Sequence, residues 1–432
     1  MNIYLNRIGA LLLASALTSG GAIFAQSNKC ATHTNWVKYA EEHPEAIQRK
    51  QELEEFTRSF HRNFSGYNRT VELTIPVVFH ILHHPSHPEQ NISDAQINSQ
   101  IAVLNKDFRL LNSDSLNPSH PFWQYTIDAQ IEFCLASRKP DGTSTNGINR
   151  VEVEYEVFDD NSIDAVKYTD QGGVDNWDPT KYLNIWVVDT DTGNTTLGFA
   201  TFPSDLANFP EEDGVVLRHQ VVGTLGTAGT GGFSANDLGR TATHEVGHWL
   251  NLSHIWGDDN CGDDNVSDTP DHEEENYGCP SFPHRDYNAC GSDENGEMYM
   301  NYMDYVNDDC MNMFTYGQAE RMWAAIEGPR SGLKTSEGCQ PPGAEGTEEI
   351  TESSFMIYPN PSDGMVELNI QGTIDGKTKV EIYSITGAQV YSTVLVNPGN
   401  QSTVAIENLN AGMYMVQVCY GMYVETQRLI VK

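Results

Sequence analysis

The segment His244-Glu-Val-Gly-His-Trp-Leu-Asn-Leu-Ser-His254 determines the expected fold around it and is the most informative part of this sequence. On a helix, His244 and His248 lie one turn apart on the same face, so both imidazoles can bind one zinc ion. Glu245 lies beside them without being a ligand, and its expected role is to take a proton from a zinc-bound water as general base. A sharp turn after the helix would bring His254 round as the third nitrogen ligand.

The same spacing constrains both ends of this helix. Capping residues cluster at 234–237, where we expect the helix to begin. The turn that follows requires a residue in the left-handed conformation, and Asn251 tolerates that conformation best after glycine. Histidines placed only for packing would rarely repeat this pattern, so the sequence predicts a zinc site.

Composition excludes several classes of partner. The 432 residues carry 25 Lys plus Arg and 60 Asp plus Glu, a formal net charge of −35. Such a field repels phosphate backbones and anionic lipid surfaces, so we expect no nucleic-acid partner. Apolar residues at 39% are sufficient for packed cores. Beyond the N-terminus, no stretch offers the roughly 18 apolar residues that a transmembrane helix requires.

The N-terminal residues are typical of a targeting segment. One positive charge in 1–7 is followed by an apolar run over 8–24, which predicts a secretory signal peptide, 1–25, cleaved after Ala25. Export makes the eight cysteines interpretable as a disulfide set. Residues 26–70 are polar and too few for a core, and we expect them to be a pro-segment.

The remainder of the chain divides by texture. An apolar strand pattern begins at Val71, and we expect the main domain to span 71–341. Its first half alternates helix signals, with Ser93 as a cap, and strands such as 151–157. A linker is expected at 342–352. From 353 to 432 the period is close to two, which predicts a small antiparallel β-sandwich.

A methionine turn, Asn301-Tyr-Met-Asp-Tyr305, follows the zinc motif by some 50 residues. Together the two motifs resemble the metzincin metallopeptidases and, within them, the cytophagalysin and ulilysin-like branch of the pappalysin family. The resemblance implies an α+β catalytic domain with a twisted mixed sheet, a zinc-binding helix and an irregular C-terminal subdomain. It also implies that Met303 forms an apolar floor under the zinc ligands and that Tyr305 stabilises the oxyanion. Asn251 departs from the glycine usual in that family.

The resemblance also suggests how substrate is selected. It implies that an edge strand at 197–202 pairs with extended substrate. Asp309 corresponds to the wall of the pocket for the residue after the scissile bond, and a carboxylate there would favour Arg or Lys. The alternative for Asp309 is a solvated surface carboxylate.

Cysteine pairing follows from the resemblance and not from spacing, which leaves three pairings open for the four clustered cysteines. The implied pairs are Cys261–Cys290 and Cys279–Cys310, and Cys134 with Cys339 is a candidate third bridge. Cys30, in the polar N-terminal segment, could occupy the water position on zinc and keep a precursor inactive. The alternative is an incidental thiol.

An oxygen-rich loop follows the third histidine and is a candidate structural calcium site. Ulilysin-like enzymes bind calcium in this region, and the alternative is an acidic surface loop. The candidate ligands are Asp263, Asp264, Asp268 and Thr269.

The C-terminal region contains a set of short motifs at 357–364, 382–387, 409–414 and 429–432. As a set they resemble the C-terminal sorting domain of the type IX secretion system of Bacteroidetes. The implied fold is an all-β immunoglobulin-like sandwich, and the implied partner is the type IX secretion machinery. A carbohydrate- or protein-binding sandwich is the alternative.

These observations favour a secreted zinc endopeptidase made as a zymogen, acting as a monomer on protein or peptide substrates. One rival is a cell-surface binding protein or adhesin with a vestigial zinc site, against which the retained general base Glu245 argues. A second rival is a zinc hydrolase of a non-peptide bond, which the metzincin-like turn opposes.

Overall fold

The structure is a computed structural model. It describes residues 29–61, 71–159, 162–190, 196–285, 290–291, 294–342, 355–362, 365–370, 377–384, 389–396, 401–405, 409–420 and 423–432. The chain divides into two compact units, Met1–Pro342 and Gly343–Lys432. The expected signal peptide, and all but the first residue of the expected linker, lie outside the described residues.

The first unit contains both helices and strands. Its helices are α1 (Thr32–Glu42), α2 (Glu45–Ser59), α3 (Asp94–Phe108), α4 (Arg240–Trp249) and α5 (Tyr316–Glu327). Its strands are β1 (Leu73–His83), β2 (Ile131–Leu135), β3 (Ile148–Glu152), β4 (Leu183–Val188), β5 (Gly198–Ala200) and β6 (Val215–Arg218). Short 3-10 turns lie at Pro88–Gln90, Pro121–Tyr125, Ile163–Lys167, Thr169–Gln171, Pro210–Glu212, His219–Val221, Thr230–Gly232, Asp308–Cys310 and Ser331–Thr335.

The strands form one mixed sheet in the order β2-β1-β4-β6-β5, with β3 also paired to β1. All pairs are parallel except β5 with β6. The apolar run of β1 is buried almost throughout, as expected for a central strand covered on both faces. The mixed sheet that the sequence predicts is therefore present, and its one antiparallel member, β5, lies at the edge.

The predicted cap of α3 is present, whereas one predicted strand lies earlier in the chain than expected. The side chain of Ser93 accepts a hydrogen bond from the Gln96 amide at 3.2 Å, so the predicted cap of α3 is present. The strand expected at 151–157 is instead β3, which begins and ends earlier. Its position is set by pairing with Phe79–His83 of β1, a long-range constraint that local composition does not contain.

Helix α4 begins later than predicted. The expected start at 234–237 was wrong, because Gly239, with φ of 75°, precedes the first helical residue, Arg240. The amides of Leu238 and Arg240 donate to a carboxylate oxygen of Asp308, at 3.0 and 3.1 Å. A carboxylate distant in sequence therefore satisfies the amino end of the helix, where negative charge is favourable.

Between α4 and α5, the described residues contain one short 3-10 turn and otherwise irregular chain, as the resemblance implies for the C-terminal subdomain. Disulfides Cys261–Cys290 and Cys279–Cys310 cross-link this region. A third, Cys134–Cys339, joins β2 to the end of the first unit. These are the pairs named above, and Cys30 is a buried free thiol.

A buried ion pair connects the end of α4 to the segment after α5. The guanidinium of Arg330 donates to both carboxylate oxygens of Asp213, at 2.7 and 3.0 Å, and to the carbonyl of Trp249 at 2.7 Å. The indole Nε1 of Trp249 donates to the same carboxylate at 2.9 Å. The side chains of Arg330 and Asp213 are 0% and 1% exposed, so each charge depends on the other for stabilisation in the absence of water.

The second unit consists of strands in its described part. These are β7 (Phe355–Tyr358), β8 (Met365–Ile370), β9 (Lys377–Ser384), β10 (Gln389–Val396), β11 (Gln401–Ala405), β12 (Gly412–Tyr420) and β13 (Tyr423–Val431). They form antiparallel sheets in the orders β10-β9-β12-β13 and β11-β8-β7. Residues from both sheets share one hydrophobic cluster. In the described part of the chain, no helix is long and apolar enough to cross a membrane.

We expect Asp213→Asn to lower the free energy of unfolding of the first unit by about 3–5 kcal/mol, because it leaves the Arg330 guanidinium buried and unpaired. Chemical denaturation followed by tryptophan fluorescence measures this unit alone, since all 7 tryptophans precede residue 343.

The matched control is Glu327→Gln, which removes the half-exposed pair with Lys334. We expect that change to cost less than about 1 kcal/mol. Equal effects of the two substitutions would contradict the importance of the buried pair.

Candidate active site

Three histidine side chains converge beside the edge of the sheet. His244 and His248 lie on one face of α4, and His254 reaches them from beyond the turn. The Nε2 atom of His248 lies 3.1 Å from that of His244 and 3.1 Å from that of His254. The turn between them depends on Asn251, whose φ of 76° is the left-handed value that the sequence led us to expect.

Each Nδ1 atom of this cluster faces an oxygen acceptor. The acceptors are the carbonyl of Tyr302 at 2.7 Å for His244, the carbonyl of Leu252 at 2.7 Å for His248, and the carboxylate of Asp258 for His254. Nδ1 therefore carries the ring proton, and each Nε2 has a free lone pair. Such partners orient metal-binding imidazoles and raise their basicity.

The donor set fits a zinc ion. Burial lowers the pKa of His244 to about 3 and that of His248 well below its ordinary value, so these two rings are neutral. Neutral lone pairs directed at one another repel, and a cation between them removes the repulsion. The Sγ of Cys30 and the three histidine ligand atoms all lie within 4.8 Å of one another. Three imidazoles and a thiol are ligands that zinc prefers.

Glu245 is buried beside the cluster on the same helix. Its Oε2 accepts hydrogen bonds from the Thr32 hydroxyl at 2.9 Å and the Cys30 thiol at 3.3 Å. Its Oε1 has no hydrogen-bond partner among the described residues. Burial raises the pKa of Glu245 to about 8, against the smaller opposing effect of these two hydrogen bonds. A positive ion at the histidines would lower that pKa.

The methionine turn lies under the histidines. Met303 is completely buried, and a Cβ at Gly247 would lie 2.5 Å from its Sδ, so α4 approaches the turn as closely as glycine permits. The backbone of the turn also holds the ligands, since Tyr302 provides the acceptor for His244. The amide of Ile255 donates to the carbonyl of Met303 at 3.2 Å, which fixes the chain next to the third histidine.

Tyr305 is also buried at the cluster, with its ring centre 5.0 Å from that of His254 and 5.7 Å from that of His244. Its hydroxyl donates to the carbonyl oxygen of Cys30 at 3.1 Å. A carbonyl is the group that a peptide substrate presents, so this hydroxyl can donate to a peptide oxygen in the cleft.

The N-terminal segment occupies the cleft. Cys30 forms a parallel β-bridge with Gly198 of β5, and the flanking backbone hydrogen bonds are Leu197 N to Lys29 O at 2.7 Å and Ala31 N to Gly198 O at 3.1 Å. Gly198 also lies close to β6, since a Cβ there would lie 2.9 Å from the carbonyl of Val216. The predicted edge strand is thus paired, with a segment of the same chain.

Lys29 lines a small pocket next to the histidines, and its ammonium donates to the carbonyl of Val306 at 3.4 Å. The pocket is lined in part by Leu197, Tyr305 and Asp304. Burial lowers the pKa of Lys29, and the carboxylates of Asp308 and then Asp304 oppose that shift. Asp309, the residue expected to select basic side chains, is exposed, and its Oδ1 lies 3.1 Å from Sγ of Cys279.

The carboxylates of the loop proposed to bind calcium accept hydrogen bonds both from the loop itself and from the start of α5. Both carboxylate oxygens of Asp264 accept from the Thr269 hydroxyl at 3.0 Å. Asp268 accepts from Thr315 and the Gly317 amide at the start of α5. Among the described residues, the carboxylates of this loop do not form a group of three within 4.8 Å, and calcium at Asp263 and its neighbours stays a prediction.

Sequence reasoning missed several residues of this site. Thr32, which bridges Glu245 and the Ala200 amide, lies two positions after Cys30 and could have been found by extending that motif. Asp258, the partner of His254, lies one helical turn after it and could have been found in the same way. The contact of Lys29 with the Val306 carbonyl joins segments 277 residues apart, and that of Asp308 with the Leu238 amide joins segments 70 residues apart. No local signal indicates either contact.

Comparisons with known proteins agree with this geometry. The family model described as Pregnancy-associated plasma protein-A (Peptidase_M43) matches residues 167–327, and that of the Secretion system C-terminal sorting domain matches residues 356–432. An extracellular metalloprotease of Colletotrichum graminicola is 30% identical over 324 residues, which cover 73% of this chain and 96% of that protein. The chain therefore belongs to the pappalysin family of metallopeptidases and carries a type IX sorting domain.

Solved structures agree with that assignment. Mirolysin in complex with compound 9 is 46% identical, with a TM-score of 0.57, and the match covers 62% of this chain and 99% of that chain. A mutant of Tannerella forsythia promirolysin is 43% identical, with a TM-score of 0.62, and the match covers 71% and 97%. The protein is thus a secreted or cell-surface zinc metalloendopeptidase of Bacteroidetes type with a mirolysin-like metzincin fold.

Proposed function

We propose that this protein is an endopeptidase made as a zymogen, with Glu245 as general base and a preference for Arg or Lys after the scissile bond. The observation that carries the proposal is the segment around Cys30, which pairs with the edge strand and places its thiol among the three histidines. A chain in that position excludes peptide substrate.

The proposed division of the chain follows from the same contact. A signal peptide at 1–25 would be removed on export, and a pro-segment at 26–70 would cover the cleft until it is cleaved. The catalytic domain would span 71–341, followed by a linker at 342–352 and an immunoglobulin-like sorting sandwich at 353–432. Coverage of this chain rises from 62% against mirolysin to 71% against promirolysin, which supports an N-terminal pro-segment.

The residues of the site support peptide hydrolysis. His244, His248 and His254 would hold the zinc ion, which would supply an acidified water and a Lewis acid for the substrate carbonyl. Glu245, with one unpartnered oxygen, accepts a proton from the attacking water and passes it to the leaving amine. Tyr305 donates a hydrogen bond to the substrate oxygen as negative charge develops on it. Met303 supports the ligands from below and takes no proton.

The pocket that holds Lys29 supports the preference for a basic residue. Lys29 is part of that pocket, and the carboxylates that oppose the lowering of its pKa by burial are those of Asp308 and Asp304. Asp309 was expected to select the basic residue and remains a candidate. Its exposure and the burial of Asp308 favour Asp308 for this role.

We expect Glu245→Ala and Glu245→Gln to lower kcat at least about 100-fold, because both remove the general base. The three ligands remain, so zinc content should be unchanged. Cleavage of a peptide library and elemental analysis of the same preparations measure the two quantities. Wild-type turnover in either variant would refute the assignment, and lost zinc would make Glu245 structural.

We expect Cys30→Ala to let the intact precursor cleave peptides at least about tenfold faster than the wild-type precursor, because the thiol no longer competes for the metal. A tenfold change corresponds to about 1.4 kcal/mol. Early time points, taken before the pro-segment is cut, measure the effect. Cys419→Ala, in the second unit, controls for loss of a thiol. Unchanged precursor activity in Cys30→Ala would exclude a thiol switch.

We expect Asp308→Asn to reduce the kcat/KM ratio for Arg over citrulline after the scissile bond about tenfold or more, because the carboxylate charge that acts on a cation in this pocket is lost. Asp309→Asn should leave the ratio unchanged, and a ratio does not depend on how much protein is folded. The reverse result would assign the pocket to Asp309. No preference in the wild type would refute basic specificity.

A further inference from the structure

The N-terminal segment places cations on both sides of the histidine cluster. Lys29 lies at the Leu197 end of β5, where its carbonyl accepts from the Leu197 amide. Thr32 lies at the other end, where its hydroxyl accepts from the Ala200 amide at 2.8 Å. The catalytic chain continues from that end towards Asp205, and there a second cation of the segment, Arg49, is bound.

Asp205 binds Arg49 through a charged contact on one oxygen. The guanidinium Nε and Nη2 of Arg49 donate to Oδ1 of Asp205, at 3.1 and 2.8 Å. The Ser204 hydroxyl donates to Oδ2 at 3.1 Å. The side chains of Arg49 and Asp205 are 16% and 13% exposed, so the pair is largely shielded from water.

The catalytic unit positions this carboxylate without help from the N-terminal segment. The backbone carbonyl of Asp205 accepts from the amides of Asn208 and Phe209, at 3.0 and 2.9 Å. These contacts and that of Ser204 do not involve residues 26–70. When Arg49 leaves, they would still hold Asp205 in place, with one carboxylate oxygen free to accept.

The neighbouring wall suits the stem of a long basic side chain. The ring of Phe202 lies edge-on to the ring of His248, with centres 5.7 Å apart, so the wall adjoins a metal ligand. The ammonium of Lys50 lies 4.4 Å from the centre of the Phe202 ring. An aromatic face next to a carboxylate binds cations through both contacts.

We propose that Asp205 forms a second cation-binding subsite, which selects Arg or Lys on the amino-terminal side of the scissile bond. The inference rests on the proposed function. If the residue after the scissile bond occupies the pocket of Lys29, the residues before it extend past the Ala200 end of β5 towards Asp205. Arg49 then blocks in the precursor a subsite that serves substrate after activation.

The test uses protein that is expressed at full length and then activated by removal of the pro-segment, together with matched peptide pairs. Each pair carries Arg or citrulline at one position before the scissile bond, with Arg kept after it. Citrulline keeps the shape of Arg and removes its charge. We expect the wild type to prefer Arg about tenfold in kcat/KM at one of these positions, and Asp205→Asn to bring that ratio close to one.

Asp205 and Phe202 line one groove. Two further variants distinguish a direct contact with Asp205 from the overall negative potential of that groove. Asp164 lines the same groove and, within the described residues, forms no ion pair, so Asp164→Asn removes an equal charge and should keep the Arg preference. Asp205→Lys should prefer Glu over Gln at the same position, a gain that misfolding cannot produce. Binding of the peptides in a Glu245→Ala background, measured by fluorescence anisotropy, gives a readout independent of turnover.

A wild-type ratio near one at every position before the scissile bond would overturn the inference, and so would an unchanged ratio in Asp205→Asn. An equal loss of the Arg preference in Asp164→Asn would also overturn the inference, because the overall negative potential of the groove, and not a contact with Asp205, would then select Arg. The same assay with citrulline after the scissile bond tests the proposed function. If the wild type shows no preference for Arg after the scissile bond, the proposed specificity and the Asp205 subsite are both overturned. If it prefers Arg only after the scissile bond, the Asp205 subsite alone is overturned.

Discussion

The structure depends on three imidazoles that direct their Nε2 atoms at one point. Each ring is held by an oxygen acceptor on its other nitrogen, and two of those acceptors, the carbonyls of Tyr302 and Leu252, are backbone atoms. The metal site is therefore no more rigid than the turns that carry those carbonyls. The methionine turn carries one of those carbonyls, so its position matters although it binds no metal. It is packed so closely against α4 that a Cβ at Gly247 would lie 2.5 Å from the Sδ of Met303.

The rest of the first unit keeps those turns in position through buried charges. Asp308 satisfies the amino end of α4, and the Arg330 guanidinium binds the Trp249 carbonyl at the other end. Both contacts join α4 to segments far along the chain, so the ligand helix is fixed at each end by residues that fold around it. A ten-residue helix would be marginal alone, and these contacts compensate for its short length.

Local chemistry determined what could be predicted. The ligand histidines, Glu245 and the left-handed Asn251 follow from spacing and conformational preference within eleven residues, and the strand periodicity of the second unit is equally local. The start of α4 was mispredicted because its cap, Asp308, lies 70 residues from Leu238. For the same reason, the sequence led to Asp309, while the structure buries Asp308 and leaves Asp309 exposed. Adjacent acidic residues differ in burial only after the chain has folded.

The direction of the N-terminal segment explains how a peptide can lie in a protease cleft without being a substrate. Its backbone runs parallel to β5, with Lys29 in the pocket proposed for the residue after the scissile bond. The chain then proceeds past Cys30 towards the side proposed for residues before that bond, opposite to the direction that the proposed function gives a substrate. The histidines therefore meet a side-chain thiol, and Tyr305 already donates to the Cys30 carbonyl. Reversed polarity lets the segment use the recognition contacts of the cleft while the peptide bond is presented in the wrong sense for attack.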